Sequence, residues 1–155
     1  MTAPAVATIE LAPRERQVLE GLSDGSTLAT VALTLKIREG TARGYLKLAK
    51  RKLYGASENA TALANAYATN AIARPDLLDP EGLFLPREQR DLIPLIGRGL
   101  SAGTMALELK RQVDIVRREG RDLMANLGAT NRAHAIRRAW QYQALTADQV
   151  IAWLR

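Results

Sequence analysis

The stretch from Ile37 to Leu53, IREGTARGYLKLAKRKL, places Arg43, Lys47, Lys50, Arg51 and Lys52 in one short segment. On a helical wheel at about 100° per residue, Ala42, Leu46, Ala49 and Leu53 fall within roughly 40° of one another. Arg43, Lys47, Lys50 and Arg51 occupy the adjoining side, between roughly 80° and 180°. This pattern suits electrostatic rather than covalent chemistry. An apolar seam faces inward, and beside it runs a ridge of fixed cations able to neutralise phosphates. Gly40 and Gly44 fall on the charged side. Each costs a helix about 0.5–1 kcal/mol relative to alanine and allows the backbone to come close to another surface. A second ridge follows, where Arg117, Arg118 and Arg121 lie between roughly 100° and 200° on their own wheel.

Other residue types point away from catalysis. The chain has no cysteine, which excludes disulfides and thiolate chemistry. His134 is the sole histidine, so no His-based metal cluster is available. It falls early in a helix near Arg132 and Arg137 and reads as a surface residue. Arg14–Glu15 and Arg87–Glu88 read as first-turn residues, with Pro13 and Pro86 at helix starts. No Gly-rich phosphate loop or nucleophile constellation is present. The expectation is a non-enzyme without metal or cofactor.

Composition agrees with a polyanion binder. The 155 residues are 47% apolar but only 5% aromatic, and the net charge is +6. A mixture rich in alanine and leucine favours helix over strand. A basic balance of this size suggests nucleic acid or an anionic membrane surface as partner. No apolar run approaches the ~18 residues a spanning helix needs. The start, MTAPAVATIELAPRERQ, lacks the basic region and long apolar core of a secretory signal. These features predict a soluble, cytoplasmic, nucleoid-associated protein.

The ridges must be positioned by repeated elements, because the chain resembles itself. GSTLATVALTLK (Gly25 to Lys36) lies over GLSAGTMALELK (Gly99 to Lys110). Arg43 recurs as Arg117, Leu53 as Leu127, and Gly55–Ala56 as Gly128–Ala129, with Tyr54 inserted in the first copy. PRE at Pro13–Glu15 matches PRE at Pro86–Glu88, which implies one residue gained between Pro86 and Gly99. Residues 11–67 carry a charge of +4, residues 85–140 carry +5, and the Pro- and Gly-containing segment between them is acidic. Each copy shows four apolar patterns of helical spacing. The first has Val18/Leu19/Leu22, Leu28/Val31/Ala32/Leu35, Ala42/Leu46/Ala49/Leu53 and Ala62/Leu63/Ala66/Tyr67. The second has Leu92/Ile96, Met105/Ala106/Leu109, Val116/Leu123/Leu127 and Ile136/Ala139/Trp140. A tail helix is expected from Thr146, with Gln149 at capping-box spacing. The predicted division is module 8–73, linker 74–83, module 84–143 and tail helix 144–155.

With these motifs in place, LAPRERQVLEGLSDGSTLATVALTLKIREGTARGYLKLAKRKL resembles the LuxR-type helix-turn-helix domain of bacterial transcription regulators. The fit rests on Leu11, Pro13, Arg14, Glu15, Val18, Leu19, Gly25, Ala32, Leu35, Gly40, Thr41, Leu53 and Gly55. The second copy matches more loosely at its start and well at LMANLGATNRAHAI, through Leu127, Gly128, Asn131, Arg132 and Ala135. The resemblance implies an all-α fold of two tandem four-helix modules, each with its third helix in a DNA major groove. Carried over position by position, it implies DNA contacts at Thr41, Arg43, Gly44 and Lys47, flanked by Lys50 and Arg51, and at Arg117, Arg118 and Arg121. It further implies pairing through the fourth helices, involving Leu63, Tyr67, Ile136 and Trp140, with Trp153 as a further core or interface residue.

The second copy departs from the pattern. Gly120 replaces Leu46 at a core position, Pro94 interrupts the first helix, and Glu119 and Asp122 add negative charge near the ridge. Two partner readings therefore stand. One is sequence-specific double-stranded DNA, bound by a homodimer or by one chain acting as a pseudo-dimer. The other is RNA polymerase or another regulator, bound by a helix-turn-helix-derived interaction module with weak or no DNA binding. A membrane-surface partner is disfavoured, because large apolar residues do not flank the basic ridge.

Overall fold

The computed structural model describes residues 8–154. The part of the signal-peptide reading that falls on residues 1–7, and Arg155 of the tail segment, lie outside the described residues. The described chain is all-helical. Its elements are α1 (Pro13–Leu22), α2 (Leu28–Leu35), α3 (Glu39–Lys52), α4 (Asn59–Ala68), α5 (Arg87–Arg90), α6 (Leu92–Gly97), α7 (Ala102–Leu109), α8 (Val113–Leu127), α9 (Arg132–Gln141) and α10 (Ala147–Trp153). Among the described residues no helix is long and apolar enough to cross a membrane.

Local chemistry sets these boundaries. Pro13 opens α1, where its missing N–H goes unmissed. The N-cap, Ala12, has no side-chain acceptor, so Glu15 reaches back and accepts from the Ala12 N–H at 3.0 Å. The same oxygen accepts from Lys52 Nζ at 2.7 Å, tying α1 to the end of α3. Burial opposes ionisation of Glu15, yet these two donors hold its carboxyl below the usual value. Helices α2 and α7 are capped alike: Thr27 accepts from the Thr30 N–H, and Ser101 from the Thr104 N–H. Both end on a lysine in the left-handed region, Lys36 at φ 58° and Lys110 at φ 55°. Three-residue turns then lead into α3 and α8.

The structure corrects the register at the start of the second half. Gln89, not Glu88, stands in the place of Glu15: Asn126 Nδ2 donates to Gln89 Oε1 at 2.7 Å, where Lys52 meets Glu15 in the first half. Leu85 and Leu11 are likewise both buried. Pro86 is therefore the N-cap of α5 and matches Ala12 rather than Pro13. No residue is gained between Pro86 and Gly99, and the PRE match is out of register by one. The helix also breaks where a kink was expected. The ring of Pro94 cannot sit against the Arg90 carbonyl, and Pro94 offers no N–H to it. The chain turns at Asp91 and resumes as α6.

Helix α4 is buried on nearly every side, from Ala60 to Ala68. It packs on α1 and α3 of its own half and on α6, α9 and α10 of the remainder. Matching hydrogen bonds seat α4 and α9: Asn65 Nδ2 donates to the Leu53 carbonyl and Arg138 Nε to the Leu127 carbonyl, each at 3.0 Å. The contacts between the halves are reciprocal. Gly25, at φ 90°, packs under Thr130 and His134, and its carbonyl accepts from Asn131 Nδ2 at 3.1 Å. Gly99, at φ 82°, packs under Ser57 and Thr61, the matching positions of the first half. A Cβ on either glycine would collide with its partner as well as strain the backbone. Tyr67 and Trp140, themselves matching positions, meet with ring centroids 5.3 Å apart. Burial pushes the Tyr67 phenol up to about 12, so the ring stays neutral. Leu63 and Ile136 are fully buried nearby.

The connecting segment is folded onto α9 rather than extended. The Leu78 N–H donates to the Gln141 carbonyl at 2.7 Å, and Gln143 Nε2 to the Leu78 carbonyl at 3.2 Å. Thr146 and Gln149 form the capping box of α10.

His134 is half-buried against Gly25, which overturns its reading as a simple surface residue. Its Nδ1 accepts from the Thr130 N–H at 3.2 Å, so the ring is held neutral. Burial, aided by Arg138 and Arg137 and opposed by Asp24, lowers its pKa. A lowered folded-state value means that protonation favours unfolding. Stability is expected to be complete above the unfolded value near 6.5 and to decline as pH falls through the folded value. Thermal melts from pH 8 to 5.5 should show this slope, and His134→Asn should flatten it. Separately, Trp140→Ala should lower stability by roughly 3–5 kcal/mol. The melt should remain a single transition, because both halves share the packing around α4; two separated transitions would contradict it.

Candidate nucleic-acid interface

Helix α3 is built so that its charge can face outward. Glu39 lies in the first turn and Lys50, Arg51 and Lys52 in the last, which complements the helix dipole at both ends. Ala42, Leu46 and Ala49 are buried, with Leu53 sealing the C-terminal end. Thr41, Arg43, Gly44, Lys47 and Arg51 are all exposed. Lys50 is half-buried; burial lowers its pKa, against the pull of Glu58. In α8 the seam is Val116, Leu123 and Leu127, and Arg117, Arg118 and Arg121 are exposed.

Three of these arginines stand beside acids. Arg43 pairs with Glu39 at 2.7 Å, Arg117 with Asp114 at 3.7 Å and Arg118 with Glu119 at 3.7 Å. Arg43 and Arg117 remain 63% and 57% exposed, so both guanidinium groups stay open to an outside anion. Exposed pairs of this kind contribute about 0–1 kcal/mol, and a phosphate can exchange with such an acid at little cost.

Gly40 and Gly44 have no packing role, since a Cβ on either would meet nothing within 4 Å. The interior does not demand glycine there. Their smallness matters only at the outer surface, where it leaves the backbone approachable.

Three further basic residues stand at the turns that precede α3 and α8. Lys36 and Arg38 are exposed at the turn before α3, and Lys110 is exposed at the turn before α8. The recurrence of Leu–Lys at the end of both second helices was the signal for Lys36 and Lys110. The missing clue was that a left-handed residue would end each helix there.

Gly120 stands where Leu46 fills the first half. It lies on a groove of about 370 Å³ lined by Ile96, Met105, Val116 and Met124, with Arg117 and Arg121 at the edge. A Cβ on Gly120 would be unobstructed.

Comparison with family models, curated proteins and solved structures finds no match to the chain. The helix-turn-helix likeness therefore rests on the motifs and geometry described above.

Gly120→Leu should fill the groove and remove a helix-interior glycine. A gain of about 1–2 kcal/mol is expected in chemical denaturation. A loss of stability would show that the groove cannot hold the side chain.

Proposed function

We propose that the chain is a sequence-specific double-stranded DNA-binding regulator of transcription, acting without catalysis. The observation that carries this reading is the exposure of matching arginine-bearing helices, α3 and α8. Each follows a short capped helix and a three-residue turn. A B-DNA major groove admits one such helix. In this reading Arg43, Lys47, Arg117, Arg118 and Arg121 contact base edges or phosphates. Thr41, Lys50 and Arg51 contribute to the backbone grip, and Gly44 lets α3 sit close. The reciprocal packing of α4 on α9 supports one chain acting as a pseudo-dimer, which presents two reading helices without a second subunit. Tethering of that kind raises effective concentration with no new contacts. Placement among bacterial regulators, associated with the nucleoid, follows from the motif resemblance alone.

Gel shifts with duplexes selected from a random pool test the proposal. Affinity should fall steeply between 50 and 200 mM salt, as contacts to several phosphates require. Arg43→Ala and Lys47→Ala should each weaken specific binding by about 1–3 kcal/mol and relax preference at one position. Arg117→Ala should do the same if the second half reads DNA, and two motifs should appear in the selected duplexes. Absence of any shift, or a shift insensitive to salt, would refute the DNA reading.

A second reading draws on Leu33 and Leu107, which are 79% and 80% exposed at matching positions on α2 and α7. Large apolar side chains left so open at two equivalent points suit a protein surface such as RNA polymerase or another regulator. A polymerase pull-down that survives in Arg43→Ala but fails in the Leu33→Ser/Leu107→Ser double variant would favour it.

A further inference from the structure

We propose that the chain reads an inverted repeat whose two arms differ in sequence, and docks on it in one orientation. Helix α3 supplies most of the phosphate grip and α8 most of the base discrimination, with Ile115 against a thymine 5-methyl group. The inference rests on the DNA reading above and gives the form of its site.

Inversion follows from how the halves meet. Gly25 of the first half packs under Thr130 and His134 of the second, and Gly99 of the second packs under Ser57 and Thr61 of the first. Contacts that recur with the halves exchanged define an approximate two-fold axis. Half-sites that mirror a two-fold axis in the protein are inverted rather than direct.

The difference between the arms follows from what the two helices carry. They align without a gap from Lys36/Lys110 to Leu53/Leu127. Helix α3 has five basic residues against Glu39, a net charge of +4. Helix α8 has three arginines against Asp114, Glu119 and Asp122, a net charge of zero. Lys50 and Arg51 are matched by Met124 and Ala125. A helix with no net charge draws little from the general field of a polyanion, so its preference comes from directed contacts. The outer face of α8 carries two that α3 lacks. Arg118 is exposed where α3 has Gly44, which adds a fork able to take guanine O6 and N7. Ile115 is 38% exposed where α3 has Thr41. An apolar side chain gains nothing from phosphate; its match in a major groove is the thymine methyl. Asp114 and Asp122, exposed on the same helix, repel phosphate, so α8 seats only where base contacts offset that repulsion.

The test selects duplexes from a random pool with the full chain. The selected sequences should align as two inverted, unlike arms. Because the chain has no cysteine, Ala125→Cys gives α8 a single attachment point for an iron chelate that cuts nearby DNA. The cuts should fall in one arm, which contains an invariant thymine. Replacing that thymine by uracil removes only the methyl group and should weaken binding about fourfold. The loss should vanish in Ile115→Ala, whose binding to the uracil duplex should equal that of the parent and so controls for folding. Lys50→Gln/Arg51→Gln should make the log–log salt dependence shallower by about two. Arg118→Ala should relax guanine preference in the α8 arm about tenfold. Identical arms, direct repeats, equal cutting of both arms, or a uracil effect unchanged in Ile115→Ala would overturn this inference and leave the DNA reading standing. No shift with any duplex would overturn both.

Discussion

Helix α4 has almost no face left for solvent, and the rest of the architecture depends on that constraint. Five of its ten residues are alanines, at positions 60, 62, 64, 66 and 68. Alanine buries little area, so the helix gains stability only if neighbours approach closely from every direction. Leu63 and Tyr67 supply the bulk, and α9 brings Ile136 and Trp140 against them. Neither half closes its core alone, because one wall of each is the fourth helix of the other. The orientation of the basic helices follows. Asn65 grips the last turn of α3 and Arg138 the last turn of α8, so the surface that joins the halves also aims their outer faces.

Within that shared frame the halves have diverged in chemistry while keeping their geometry. The link between the first and third helices is an ion pair in one half, Glu15 with Lys52, and a neutral amide pair in the other, Gln89 with Asn126. An amide pair avoids the cost of desolvating a buried carboxylate and forgoes its stronger bond. Gly120 and Pro94 loosen the second half, and α10 packs against α6, where that half is most broken. Trp153 lies over Gly97, so tight that a Cβ there would touch its ring. The tail helix acts as a splint for a broken first helix that the first half does not have.

Much of this was legible in the sequence because it is written in helical periodicity. The seams Ala42/Leu46/Ala49 and Val116/Leu123/Leu127 are buried as their spacing predicts, and Thr146 caps α10 as its spacing to Gln149 predicts. Register was less legible. The PRE tripeptide drew the alignment one residue away from the match that side-chain pairing enforces, because a local string carries no record of which residue faces Asn126. His134 was misread for a related reason. Its neighbours in sequence are arginines, but its neighbour in space is Gly25, more than a hundred residues away.

The acidic residues beside the ridges need a physical account, since they offset the charge that defines the proposed interface. Glu39 precedes Arg43 by four residues and sits in the first turn of α3, where a carboxylate also meets the positive end of the helix dipole. Asp114 also lies in the first turn of its helix, α8, three residues before Arg117 and at the longer distance of 3.7 Å. These acids help the helices form when nothing is bound, and Glu39 holds the Arg43 guanidinium in a 2.7 Å hydrogen bond. That order reduces the side-chain entropy a polyanion would have to remove on binding. Because the pairs are exposed, they give up little when phosphate displaces the carboxylate, whereas each phosphate contact also releases condensed counterions. The same carboxylates repel anionic surfaces that cannot place a phosphate at each arginine. In the proposed interface this would raise selectivity for a partner with regularly spaced charge over a merely negative one.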